Sequence, residues 1–488
     1  MIAPFLRAGL ALGCALVAGC AGMNGLAPQA TSNDPNALGA HGALSSVRVT
    51  DAAWPAGDWW KSFRDPQLDA LMSEALASNP TLDLAAARTR KALALAEGSR
   101  SALSPRVDAS ASTALERFPE HGLVPPPFGG TMQTLSDLQL SLSWEIDFWG
   151  KNRAVYEAAL GAARAAEVDA YATRLALSTN IAQAYVQLLR AYLQLDVAKQ
   201  TLASRERIAA LTRDRNAAGI DSRLEVKQAE AALPATREEI AALEERIALA
   251  RNAIAALMGA GPDRGLAIVR PTATASAQVA LPSTLPAELI GRRPDIVAQR
   301  WRIEAASQDI ASQKASFYPN VNLLAFAGVQ GLAGTNLLSA ASRTLGVAPA
   351  VTLPIFDAGR LRAGLAAKDA DYDMAVGQYN QLLANAMRDV VDQVASFRSL
   401  DAQRTQQRIA AATTREAYDL ALLRYREGLG NYLQVLSAEQ PLLAQQSLAA
   451  DLHVRALELS INLVRALGGG YDPNSVATQV SMTTGQKR

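Results

Sequence analysis

Few residues in this chain have the type and spacing to do chemistry. Its 488 residues include three histidines, His41, His121 and His453, and two cysteines, Cys14 and Cys20. The histidines fall in an Ala/Gly-rich leader, a Pro/Gly-rich loop and a helical stretch, and none stands in a metal-binding or nucleophile motif. Glu145 and Asp147 alternate onto the same face of the strand pattern that carries them. Two such carboxylates could do acid–base work, but a water-facing acidic lining accounts for them more economically. The sequence therefore points to no enzyme, no metal site and no bound cofactor. The one covalent chemistry it does suggest is at Cys20.

The first residues are an address. Arg7 supplies the positive region, and Ala8 to Val17 is an apolar run too short to span a membrane as a mature helix. The run ends Val17-Ala18-Gly19-Cys20, which resembles a bacterial lipobox, with residues 1–19 removed and lipid, including palmitate, attached to Cys20. Cys14 leaves with the signal, so the mature chain has no disulfide to form. Residue two of the mature chain is Ala21 rather than Asp, which by resemblance to sorted lipoproteins implies the outer membrane and contact with its lipid. Residues 20–50, rich in Ala, Gly, Asn, Ser and Pro, read as a flexible lipid-anchored tether. Residues 471–488 read as a C-terminal tail.

Charge is balanced, at +1 overall, without a basic stripe. Nucleic-acid binding, which needs clustered Lys and Arg against phosphates, is excluded on that ground. Aromatics are only 5% while alanine is abundant, a composition suited to long thin helices rather than a bulky core.

The elements that organise the chain come in two copies. Arg215 to Glu230, RNAAGIDSRLEVKQAE, returns as Arg424 to Glu439, RYREGLGNYLQVLSAE, at an offset of 209 (428 − 219). The same offset carries Leu224 onto Leu433, Gly150 onto Gly359 and Gly259 onto Gly468. Such self-similarity defines two structural repeats, 51–265 and 266–470. Each contains a helix hairpin, 150–259 and 359–468, with tips at 217–222 and 426–431. Gly219 and Gly428 suit the left-handed residue just past a helix end. Ser222 and Glu225 form a capping box for the departing helix, and Asn431 and Gln434 occupy the equivalent capping positions. Leu177, Ile181, Ala184, Leu188, Ala191, Leu195, Ala198 and Leu202 step by four and three, a coiled-coil seam. Leu233, Thr236, Ile240, Leu243, Ile247, Ala250, Ile254 and Leu257 do the same after the first tip, and Leu442, Leu452, Leu459 and Leu463 echo them. Pro234 and Pro441 are expected inside helices.

Ahead of each hairpin the period changes to two. Leu138, Leu140, Leu142, Trp144, Ile146 and Phe148 alternate with Gln139, Ser141, Ser143, Glu145 and Asp147. That is the pattern of a strand with lipid on one side and water on the other. Leu345, Val347, Val351, Leu353 and Ile355 repeat it, and Val107–Ala111 and Val321–Val329 are weaker partners. Strands are thus expected near 105–148 and 319–356. Helices precede each set, broken at Asn79-Pro80 and Ser104-Pro105 in the first copy and at Arg293-Pro294 and Tyr318-Pro319 in the second. The offset between those breakers is 214 (294 − 80), so the first copy carries extra residues, best placed in the loop-like stretch 116–134. Ala315 to Ser342 carries no charge, but Pro319 and Gly328, Gly331 and Gly334 make it strand, loop, strand rather than one membrane helix.

These features together resemble the TolC family of outer-membrane efflux proteins, in its lipoprotein (NodT/OprM-like) branch. The resemblance rests on WWKSFRDPQLDALMSEALASNP, on EIDFWGKNR with its counterpart LPIFDAGRLR, and on the two tips, and it covers Trp59 to Gly468. It implies a mixed, mainly α fold assembled as a homotrimer, each subunit giving four strands to a shared twelve-stranded transmembrane β-barrel above a periplasmic α-helical coiled-coil tunnel. It implies a passive exit duct, with a periplasmic membrane-fusion adaptor docking at Gly219, Ile220, Gly428 and Leu429 and an RND-type inner-membrane pump supplying the energy. Gln139, Ser141, Ser143 and Glu145 would line the barrel lumen. Tyr425 matches a family tyrosine that ties the tip helices together. The gate departs from the family: where carboxylates form an acidic ring, Gln434 and Ser437 stand here. Glu225 alone keeps a carboxylate, and its capping role explains it first.

Metal-ion efflux, protein secretion and a purely structural periplasmic lipoprotein are the alternatives; drugs and other small toxic compounds are the expected cargo. For Cys20, mass spectrometry of the mature N-terminus is expected to show a diacylglyceryl cysteine, lost in Cys20→Ser. An unmodified N-terminus further downstream would refute it.

Overall fold

The computed structural model describes residues 23–34, 37, 39, 54–274, 291–332 and 336–472. Cys20, the signal and the tail beyond 472 lie outside them. The described elements are α1 (Pro66–Ser78), α2 (Pro80–Ser101), β1 (Arg106–Arg117), β2 (Met132–Ile146), α3 (Lys151–Ala217), α4 (Arg223–Leu257), α5 (Pro262–Leu266), α6 (Pro294–Ala315), β3 (Asn320–Leu332), β4 (Arg343–Thr352), α7 (Arg360–Arg426) and α8 (Tyr432–Ala466). The repeat is visible in their lengths. The helices α3 and α7 are 67 residues each, about 100 Å at 1.5 Å per residue, and α4 and α8 are 35 each. Pro66, Pro80 and Pro294 each open a helix, where proline costs nothing because the first N–H groups have no partner in the helix.

The described residues form two compact units that cut across the repeats: those of 88–167 and 298–379 with 23–32, and those of 33–87, 168–297 and 380–472. Each takes matching stretches from both copies.

The first unit holds one antiparallel sheet in the order β1-β2-β3-β4, so β1 and β4 are its edges. Residues directly opposite across an antiparallel pair share a face. Leu142 lies opposite Val107 and Ala325, and Ala325 opposite Val347; Leu140 lies opposite Ala109 and Ala327, and Ala327 opposite Leu345. The apolar faces read separately in the two copies thus become one face across all four strands. On the other face Gln139 pairs with Ser110, Ser141 with Asp108 and Ser143 with Arg106. That face is not polar throughout, because Ser141 and Ser143 also meet Phe326 and Leu324.

Pairing corrects the expected loop. Glu116, Arg117, Met132, Gln133 and Thr134 all belong to the β1–β2 ladder, which leaves 118–131 as the connection. Asp147 is also corrected. The strand ends at Ile146, and the Asp147 carboxylate accepts from the backbone N–H groups of Asn152 (3.1 Å) and Arg153 (2.8 Å), capping α3 instead of lining the sheet. Asp357 does the same for α7 through Gly359 and Leu361. Beside the sheet, Gly161 faces Ala305 so closely that an added Cβ would lie 3.2 Å from the alanine methyl, and Arg164 sits 4.6 Å above the Trp301 ring.

In the second unit, Trp59, Trp60 and Phe63 bury themselves with Leu68, Leu71 and Met72 against Ile181, Tyr185, Leu188, Ile254 and Leu457. Asp65 holds this cluster together. Its buried carboxylate caps α1 through Gln67 and Leu68 and accepts from the Tyr185 hydroxyl (2.8 Å) and the Thr272 N–H (2.7 Å). Leu177, Ile181, Leu188, Ala191, Leu195 and Ala198 of the α3 seam are buried, as are Leu442, Leu452, Leu459 and Leu463 of α8. Pro234 and Pro441 sit inside α4 and α8.

The sheet register makes a facing test possible. Single cysteines at 138, 140 and 142 should react with a membrane-impermeant thiol reagent far less than those at 139, 141 and 143; uniform labelling would refute a barrel strand. Leu142→Arg should cost about 2–4 kcal/mol if that face meets the bilayer midplane.

Candidate functional site

Both tips are built by the same backbone device. At the end of α3, Gly219 N–H bonds the carbonyl of Asn216 and Ile220 N–H that of Arg215, both at 2.9 Å. At the end of α7, Gly428 N–H bonds Tyr425 (3.2 Å) and Leu429 N–H bonds Arg424 (2.8 Å). This paired pattern needs a left-handed residue, and the two glycines have φ of +74° and +75°. A Cβ at either would meet nothing within 4 Å, so both backbones face open space. Ile220 and Leu429 beside them are 60% and 71% exposed, and Leu224 and Leu433, the second residues of the departing helices, are 62% and 59% exposed. Each tip therefore presents a bare backbone corner flanked by two solvated aliphatic side chains.

The caps differ between copies. Ser222 Oγ accepts from Leu224 N–H (3.1 Å), while the Glu225 carboxylate accepts from Ser222 N–H (3.0 Å) and from its hydroxyl. The Ser222 hydrogen bond, with the backbone N–H groups behind it, holds the Glu225 carboxyl below the usual carboxylate range. In the second copy Asn431 Oδ1 accepts from Gln434 N–H at 3.1 Å. Gln434 and Ser437 are exposed.

The two tips are bonded to each other. Arg215, at the end of α3, makes a two-pronged ion pair with Asp221 (3.0 and 3.3 Å), and their side chains are only 9% and 7% exposed. Its third nitrogen donates to the Tyr425 carbonyl at 2.7 Å, and its guanidinium lies 4.5 Å above the Tyr425 ring. The Tyr425 hydroxyl donates to Asp221 and sits 2.9 Å from Thr212 Oγ1. Burial, reinforced by the bond to Asp221, pushes the Tyr425 phenol up to about 12. Its ring lies in a cluster with Ile208, Ala229, Leu233, Tyr418, Tyr432 and Val435. Farther along, Arg205 reaches from α3 to Glu439 on α8 (2.9 Å) and to Thr236 on α4 (2.8 Å).

Tyr425 thus bonds to residues of the first tip through its carbonyl, ring and hydroxyl. Sequence reading missed Arg215, Asp221 and Thr212. The only signal was that Arg215 opens the repeated stretch. Of the residues expected to line a lumen, Gln139, Ser141 and Ser143 share a face of β2, and Glu145, at the strand's end, pairs with Lys151 at 2.9 Å.

One unit thus carries a four-stranded sheet with a continuous apolar face, and the other carries the paired tips. The model of the outer membrane efflux protein family matches residues 71–260 and 285–469, and the chain belongs to that family. It is 42% identical over 358 residues to the fusaric acid resistance protein FusA of Burkholderia cepacia, covering 73% of this chain and 67% of that one. It is 32% identical to the multidrug resistance outer membrane protein MdtP of Escherichia coli, covering 88% and 90%. The solved outer membrane protein VceC of Vibrio cholerae superposes with a TM-score of 0.82 at 36% identity, covering 86% of this chain and all of that one. The protein is an outer-membrane efflux channel.

The tip network has a pH signature. The folded Tyr425 phenol lies above the unfolded value of about 10, so its contribution is complete below that pH and is lost as pH rises to about 12. Tyr425→Phe should remove one tyrosine from the late phase of the tyrosinate absorbance titration, to which buried Tyr185, Tyr379 and Tyr432 also contribute. It should also cost the tip about 1.5–3 kcal/mol, the worth of a hydrogen bond to a charged group.

Proposed function

We propose that this chain is the passive exit duct of a tripartite efflux system, working as a homotrimer. A periplasmic membrane-fusion adaptor docks on its tips, an RND-type inner-membrane pump supplies the energy, and small toxic organic compounds are the cargo. The observation that carries the trimer is the sheet: four strands, one shared apolar face and two free edges. In lipid those edge groups need partners, and β1 of one copy against β4 of the next satisfies them in a closed ring. Exposed Leu84, Leu93 and Leu95 on α2 are apolar surface of the kind that neighbouring copies cover. The cargo class is supported by the resistances named for FusA and MdtP.

The tips support adaptor docking. Bare glycine backbone lets a partner helix approach closely, and Ile220, Leu224, Leu429 and Leu433 give it apolar contact. Because Arg215, Asp221 and Tyr425 bond one tip to the other, a partner seated on either acts on both. The place of Gln139, Ser141 and Ser143 opposite the lipid-type face supports a lumen role for them.

Gly428→Trp tests the docking. The side chain has room, so only the left-handed backbone is strained, by roughly 1–2 kcal/mol. In a strain lacking the native protein, the variant should assemble trimer but fail to restore resistance or crosslink to the adaptor. Normal resistance with normal crosslinking would refute the docking assignment.

A further inference from the structure

The face of the sheet that carries Gln139, Ser141 and Ser143 also holds a large ring. Phe326 on β3 lies directly opposite Ser141 on β2 and Gly346 on β4, and Ser141 lies opposite Asp108 on β1. One rung thus runs carboxylate, hydroxyl, ring and bare backbone across the four strands. Asp108 is engaged by Arg106, two residues away on its own strand, at 2.8 Å. Leu324 stands beside Phe326, opposite Ser143 and Ala348, and on the other side Gly328 lies opposite Gln139 and Thr344.

Gly346 makes room for the ring. The Phe326 ring leans across β4 into the space that a side chain at 346 would take, where an added Cβ would come within 2.6 Å of both Cε1 and Cζ. Gly346 is not one of the left-handed glycines, so space and not backbone conformation is what its missing side chain provides. An aromatic laid over a cross-strand glycine shields that backbone, which accounts for the side of the ring turned to the sheet. Its other side is open: Phe326 is 37% exposed and Leu324 46%.

These are apolar groups on the face opposite the lipid-type one, so the bilayer does not cover them. Left in water they forfeit the hydrophobic free energy of their exposed area. A flat apolar compound laid on them recovers it, and an aromatic one adds the preference of one ring for another. The polar neighbours within reach on the next strands are neutral: Ser141 directly across, and Gln139, Ser143 and Thr344 on the diagonals. They can hydrogen-bond a substituent without selecting its charge.

We propose that Phe326, laid over Gly346, is a contact surface for small planar aromatic compounds passing through the barrel. It selects a class within the small organic cargo proposed above, and it rests on that reading, in which this face lines the lumen of a closed barrel.

The test places single cysteines on this face of the full-length chain: Ser141→Cys beside the ring, and Ser112→Cys four residues beyond Asp108 on β1, about 14 Å farther along the strand. In outer-membrane vesicles each is modified by benzyl and by cyclohexylmethyl methanethiosulfonate, reagents of like size of which only the first is aromatic. A charged trimethylammonium reagent reports access to water. The ratio of benzyl to cyclohexylmethyl rates should be about two- to ten-fold higher at position 141 than at 112, the worth of one aromatic pair. Phe326→Leu, which keeps apolar bulk without the ring, should bring the two ratios together, and Phe326→Tyr should keep them apart. Because each figure is a ratio at one site, the yield of a variant does not enter it. Equal ratios at the two sites, or a difference that survives Phe326→Leu, overturns the contact surface. Failure of the charged reagent to reach either cysteine overturns the lumen reading itself, and the contact surface with it.

Discussion

Backbone hydrogen bonding in a medium without water is the constraint on which this structure depends. An unpaired N–H or C=O in hydrocarbon costs several kcal/mol. The four strands satisfy one another along three ladders and leave β1 and β4 as edges. One chain of this design is therefore incomplete in a membrane, and the duct we propose is what completes it. The apolar face is continuous because β2–β3 pairing joins the two copies, Leu140 to Ala327 and Leu142 to Ala325. A slip of one residue in that ladder would turn the apolar side chains of one copy toward the polar face of the other.

The helical end answers to a different constraint. A 67-residue helix leaves its last carbonyls without helical partners, and the chain must reverse at once. A left-handed glycine does both, and duplication supplies it twice. Duplication also explains why the tips bond unequally. At the offset of 209, Arg215 corresponds to Arg424, Asp221 to Gly430 and Tyr425 to Asn216. Arg424 is exposed, whereas Arg215 is buried in its ion pair. The arginine is common to both copies, but its partners Asp221 and Tyr425 have Gly430 and Asn216 as counterparts, so the tie between tips belongs to the divergence of the copies.

Asp65 plays a comparable part in the second unit. One buried carboxylate serves a helix cap, a tyrosine on α3 and the backbone at Thr272. It fixes the Trp-Trp opening motif against the long helix through neutral N–H and O–H donors.

The sequence by itself determined whatever depends on near neighbours along the chain. The glycines at 219 and 428 had to be left-handed because a Cβ is disfavoured there; Ser222 and Glu225 had to cap because they lie one turn apart; alternation of period two had to make strands. Repetition then fixed two hairpins and two strand pairs. Tertiary structure decided what depends on distant partners. Asp221 and Tyr425 are 204 residues apart, and Gln29 and Asp373 are 344 apart. No local pattern marks such pairs, since each is set by the packing register of long elements. The same reason covers Asp147, whose spacing suits a strand face and whose carboxylate instead caps the helix that follows. It also covers the compact units, which cut across both copies because β2 pairs with β3 and so joins the strands of one copy to those of the other.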